Sequence, residues 1–157
     1  SRCIARISPK ARLGGNHGLK GKVYFNLGAA HADNPKGDLE KATTRYTTAL
    51  ECFTSVNAID DVVRINIRLG KVYLLQKKYE LSQGVIDTVR SQISSERLAL
   101  QTDYLEAQLK FALNDSLNAL KIANNGLVRA RSLGAKEDEL RLTSLIESIN
   151  ETTAEHS

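Results

Sequence analysis

Between Ile65 and Val89 the chain reads INIRLGKVYLLQKKYELSQGVIDTV, and its apolar and small residues fall at helical spacing twice in succession. Asn66, Leu69, Gly70 and Tyr73 form one stripe, and Tyr79, Ser82, Ile86 and Val89 form another. Steps of three and four residues place each set on one helix face. The pattern predicts two amphipathic helices joined by a short turn at Gln76-Lys77-Lys78. Gly70 costs the first helix about 1 kcal/mol relative to alanine, which is tolerable where a partner helix must approach closely.

The same patterning extends in both directions. Tyr24, Leu27, Gly28 and His31 predict a helix from Leu19 to about Ala32. Asp33-Asn34-Pro35-Lys36-Gly37 cannot continue it. Asp38 then caps a helix to about Val56, with Ala42, Tyr46 and Ala49 on its inner stripe. Asp60-Asp61 and Ser94-Ser95-Glu96 mark further helix starts. Tyr104, Ala107, Gln108 and Phe111 repeat the first stripe with Gln in place of Gly. After the turn Asn114-Asp115-Ser116, the expected inner stripe is Leu120, Asn124 and Leu127, with Asn125-Gly126 loosening the helix. Gly134 is a helix stop. A last helix begins at Glu137-Asp138-Glu139 and turns Leu142, Leu145, Ile146 and Ile149 inward, ahead of a frayed tail at 152–157.

The spacing N-x2-L-G-x2-Y followed by S-x3-I-x2-V resembles the tetratricopeptide repeat (TPR), a helix–turn–helix unit of about 34 residues. Its small positions would be Gly28, Gly70 and Gln108, separated by 42 and 38 residues. The resemblance implies an all-α, right-handed superhelical solenoid of antiparallel helix pairs, about seven helices in all. Its units would be residues 19–57, 59–93 and 95–133, with a capping helix at 136–151. Residues 19–151 then form the domain, 1–18 a basic arm or linker and 152–157 a tail. Leu27, Gly28, Leu69, Gly70 and Tyr73 would hold the stack.

In that family the concave face comes from the first helix of each unit. The matching positions are Lys22, Phe25 and Ala29, then Arg64, Ile67, Arg68 and Lys71, then Thr102, Leu105 and Leu109. The partner-binding set expected from them is Lys22, Phe25, Arg64, Ile67, Arg68, Lys71, Leu105 and Leu109. The resemblance thus implies a non-enzymatic scaffold or adaptor. Its groove, apolar with a basic centre, would suit a peptide or amphipathic helix carrying acidic residues. Some co-chaperones of the family grip a C-terminal carboxylate with Lys, Asn and Arg. The corresponding residues here are Phe25, Ala29, Arg68, Thr102 and Glu106, so that clamp is not expected.

Composition changes this picture only at the N-terminus. Net charge is +4. Six of the 22 basic residues lie in 1–22, where there is no acid, so the remainder holds 16 basic against 18 acidic residues. A basic arm admits two other readings: a nucleic-acid-binding chain, or a regulatory or sensor domain of a larger protein. Aromatic residues are 5% of the chain, which leaves little for base stacking. Cys3 and Cys52 show no metal or redox spacing and are expected as ordinary thiols of an intracellular, cytoplasmic protein, an organelle being the alternative. No apolar run approaches the ~20 residues that span a bilayer. His17, His31 and His156 are isolated, and no nucleophile elbow or P-loop is present. No catalytic activity, metal or cofactor is expected.

Overall fold

The computed structural model describes residues 17–33 and 38–155. Expectations resting on residues 1–16, on the loop 34–37 and on 156–157 lie outside them. Among the described residues every regular element is an α-helix: α1 (His17–Asp33), α2 (Leu39–Ser55), α3 (Ile59–Leu75), α4 (Tyr79–Arg90), α5 (Glu96–Ala112), α6 (Ser116–Leu133) and α7 (Lys136–Glu155). The all-α expectation stands. The last helix runs to Glu155, beyond the expected fraying point at residue 152.

Local chemistry accounts for the boundaries. Asp38 accepts from the Glu40 and Lys41 amides, Ser95 from Leu98 and Asp115 from Asn118, each meeting orphan donors of a first turn. Hydrogen bonds from the Asn118 side chain and backbone also hold the Asp115 carboxyl below its ordinary range. The helix ends repeat one geometry. Asn57, Lys77, Asn114 and Gly134 all have positive φ, between 55° and 67°. The residue after each donates to the carbonyl five back: Ala58 to Phe53, Lys78 to Tyr73, Asp115 to Lys110 and Ala135 to Ala130. This is a Schellman-type end.

The helices that follow two of these turns, together with α2, bury residues at one spacing. Buried at that spacing are Ala42, Tyr46, Ala49 and Phe53 in α2, which buries Thr48 and Cys52 as well, Ser82, Ile86 and Val89 in α4, and Ala119, Ala123, Gly126 and Ala130 in α6. The α6 stripe corrects the expected Leu120, Asn124 and Leu127 by one residue. Asn124 is exposed, while Leu120 and Leu127 are half-buried. The matching turns at Lys77 and Asn114 are 37 residues apart, not 38. In that register the fully buried Ala107, rather than Gln108, answers to Gly70.

The chain forms two compact units, one ending at Lys78 and the other beginning at Tyr79. The division falls inside the expected unit 59–93. In the first unit, a Cβ on Gly28 would stand 2.7 Å from the Tyr46 ring, and one on Gly21 would stand 3.0 Å from Phe53. Position rises along α1 as it falls along α2, so the two helices run antiparallel. Their core holds Ala42, Tyr46, Ala49 and Phe53 of α2 with Ile65, Leu69 and Val72 of α3. Tyr73 packs against it, and Gly70 is buried. Leu27 is 41% exposed and is not the core residue expected of it. Cys52 is fully buried and disulfide-bonded, which corrects the expectation of an ordinary thiol there.

In the second unit α5 buries residues all round, from Leu98 to Leu109, because α4, α6 and α7 all pack against it. Leu100 and Ala107 of α5, Ala123 and Ala130 of α6 and Leu142 of α7 form the core. The small face of α6 permits this approach. A Cβ on Gly126 would meet the Asp103 Cβ at 3.1 Å and Leu142 at 3.3 Å.

Candidate partner-binding surface

Four of the expected contact residues come together in the first unit. Phe25 of α1 is half-buried, its ring centroid 5.7 Å from that of Tyr46 at a tilt of 56°. That contact fixes one edge of the ring. Over the ring lie the guanidinium carbons of Arg64, at 5.4 Å, and Arg68, at 5.7 Å, both from α3. Residues four apart share a helix face, and each cation gains from the ring quadrupole. Arg64 is also ion-paired to Asp61, one turn earlier. Lys22 lies one turn before Phe25 on α1 and is exposed. An open hollow of about 460 Å³ lies here, lined by Lys22, Phe25, Asn26, Phe53, Asp61 and Arg64. Two cations thus lie over one aromatic ring, a third, Lys22, lines the same hollow, and Asp61 is ion-paired to Arg64.

The other expected residues are placed differently. Ile67 is 9% exposed, Leu105 is 4% exposed and Leu109 is fully buried. Thr102 is fully buried as well. These side chains are packing residues rather than open contact surface. The one-residue register difference explains the third set. With a separation of 37, the positions answering to Arg64, Ile67 and Lys71 are Gln101, Tyr104 and Gln108, all half-buried. Lys71 is half-buried on α3, and burial lowers its ammonium below the ordinary lysine value.

A polar cluster in the second unit was not visible in the sequence pattern. Asp103 of α5 is 2% exposed. Arg90 of α4 donates to its Oδ1 at 2.8 Å, and Arg129 of α6 donates to its Oδ2. Arg90 also holds Glu106 at 2.9 Å, and Arg129 holds Glu96 at 3.0 Å. Gln83 of α4 donates to Glu106. The hydrogen bond to Asp103 raises the Arg129 guanidinium above its ordinary value. Both carboxylate oxygens are occupied by cations from different helices. The cluster therefore locks α4, α5 and α6 in register, and its chemistry is structural.

A second shallow hollow, between α5 and α7, is lined by Tyr104, Leu140, Arg141, Ser144, Leu145 and Ser148. Among the described residues, no group of three or more His, Cys, Asp or Glu side chains is arranged to hold a metal ion. No described helix is long and apolar enough to cross a membrane. No protein-family model and no curated protein sequence matches the chain.

Proposed function

We propose that the chain is a non-enzymatic protein-interaction module of TPR-like build, whose first unit takes an acidic peptide segment of a partner protein. The observation that carries this reading is the pair Arg64 and Arg68 held over one ring, Phe25, beside an open hollow rimmed by Lys22. Guanidinium groups arranged in this way suit carboxylates, to which they donate in fork geometry. Half-buried Phe25 supplies the apolar floor against which a peptide side chain is desolvated. The recurring helix ends and the recurring buried stripes of α2, α4 and α6 support the repeat reading.

The test is a peptide array of acid-rich, base-rich and neutral segments, probed with the parent and with an Arg64→Glu, Arg68→Glu variant whose helicity is checked by circular dichroism. Retention of acid-rich segments, weakened about tenfold or more in the variant, is expected of a pair of arginine anchors. Equal retention by both proteins places binding elsewhere. Retention of nucleic acid, lost steeply with added salt, would transfer the reading to a nucleic-acid-binding chain.

A further inference from the structure

Large apolar residues exposed singly are ordinary, but a contiguous row of them is not. Leu81 on α4, Leu117 and Val128 on α6 and Leu140 on α7 are exposed without forming a row at every turn. On α1, in contrast, Leu19, Val23 and Leu27 follow one another at intervals of four, exposed by 63%, 48% and 41%. Ala30, on the same side, is also exposed. At about 100° per residue these four occupy one narrow stripe. It lies opposite the small face through which Gly21 and Gly28 meet Phe53 and Tyr46. Val23 and Phe25 are about 160° apart around the helix, so the stripe is a surface separate from the hollow.

Charge states what fits it. Lys20 flanks the stripe on one side and Lys22 on the other, and no carboxylate occurs between His17 and Ala32. We propose that the outward face of α1 is a docking seam for a partner's amphipathic helix with acidic flanks. The partner's apolar residues, at steps of three and four, would lie along Leu19, Val23 and Leu27. Its carboxylates would reach Lys20 and Lys22. A second copy of this face would set lysines against lysines, so the complementary occupant is acidic. The α1 helix offers about 25 Å of contact length, enough for several turns of the partner.

The test uses a fluorescein-labelled designed helix of about 20 residues, with leucines at three-and-four spacing and glutamates on both flanks, and a control with lysine flanks. Binding to the full chain is followed by anisotropy. The glutamate helix is expected to bind about tenfold or more tightly than the lysine helix. Leu19→Ser with Val23→Ser should cost about tenfold or more, the scale of losing buried branched side chains. Lys20→Glu should also weaken binding, and Lys121→Glu, on the exposed side of α6, should leave it unchanged. All these positions are at least partly exposed, and circular dichroism checks that each variant folds. Equal binding of both helices, no binding, or binding that Leu19→Ser with Val23→Ser leaves intact would overturn the seam; the last result would place the helix elsewhere on the chain. Self-association of the parent in sedimentation, abolished by the Leu19→Ser, Val23→Ser variant, would make a second copy the occupant and overturn it too.

Discussion

Gly126 on α6 lies so close to Asp103 on α5 that a Cβ built on the glycine would stand 3.1 Å from the Asp103 Cβ. The aspartate cannot yield easily, because Arg90 and Arg129 hold its two oxygens. Close approach and ionic clasp thus depend on each other: without a side chain at 126, α6 comes near enough for Arg129 to reach a carboxylate buried in α5.

Gly126→Ala should therefore destabilise the protein. Overpacking costs about 1–3 kcal/mol, against a gain of about 1 kcal/mol from better helix propensity. Gly84 on α4 is the matched control, since a Cβ there meets nothing within 4 Å. Gly84→Ala should raise stability by about 0.5–1 kcal/mol. Thermal or urea unfolding of the two variants should shift in opposite directions. Equal shifts would show that α6 does not pack closely at 126.

The clasp predicts non-additivity. Arg129→Ala leaves Asp103 with Arg90, and Arg90→Ala leaves it with Arg129. Removing both leaves a carboxylate of 3% side-chain exposure with neither guanidinium. The double variant should lose about 3 kcal/mol or more, exceeding the sum of the single losses. Asp103→Asn should cost less than the double, because the arginines are each about one-third exposed and can turn to water. A double-mutant cycle by chemical denaturation gives the coupling directly, and additive losses would dissolve the clasp as a unit.

Lys77 ends α3 at φ 61°, a conformation that L side chains occupy at a cost of about 1–2 kcal/mol. Glycine removes that cost but loses about 0.5–1 kcal/mol of backbone entropy. Lys77→Gly should thus stabilise by a net 0.5–1 kcal/mol, roughly the difference of those two. Gly134→Ala, at φ 67°, should be destabilising for the reverse reason. Midpoints of thermal unfolding check both signs.

Helix boundaries were legible because caps act locally: Asp38, Ser95, Asp115 and Gly134 each do their work within a few residues of their own position. The grouping of Lys22, Phe25, Arg64 and Arg68 was legible for a similar reason, since each pair lies one turn apart on its helix. The register of the α5–α6 region was not. Large residues such as Leu120 and Leu127 attract attention as a buried stripe, whereas a helix packed between α5 and α7 buries its smallest face, Ala119, Ala123, Gly126 and Ala130. Asp103 was missed because a charged residue in a helix reads as solvated. Only the distant Arg90 and Arg129, 13 and 26 residues away, make its burial tolerable. Leu27 was misplaced because helical spacing defines a stripe without saying which stripe another helix covers.

Lys71 offers a test through pH. Burial lowers its ammonium below the ordinary lysine value, so the folded chain releases that proton before the unfolded chain does. Between the lowered folded value and the unfolded one, the unfolded state binds more protons, and stability contributed by this group rises with pH. Below the folded value the cost of burying the charge is fully present. Lys71→Met keeps the length of the side chain and removes the charge. At neutral pH it should be neutral or stabilising, and its advantage over the parent should shrink as pH rises toward the alkaline lysine range. Parallel urea titrations of the two proteins across that range measure the difference. A Lys71→Met variant that is less stable at neutral pH, with a deficit independent of pH, would show that the ammonium contributes a favourable contact outweighing its desolvation.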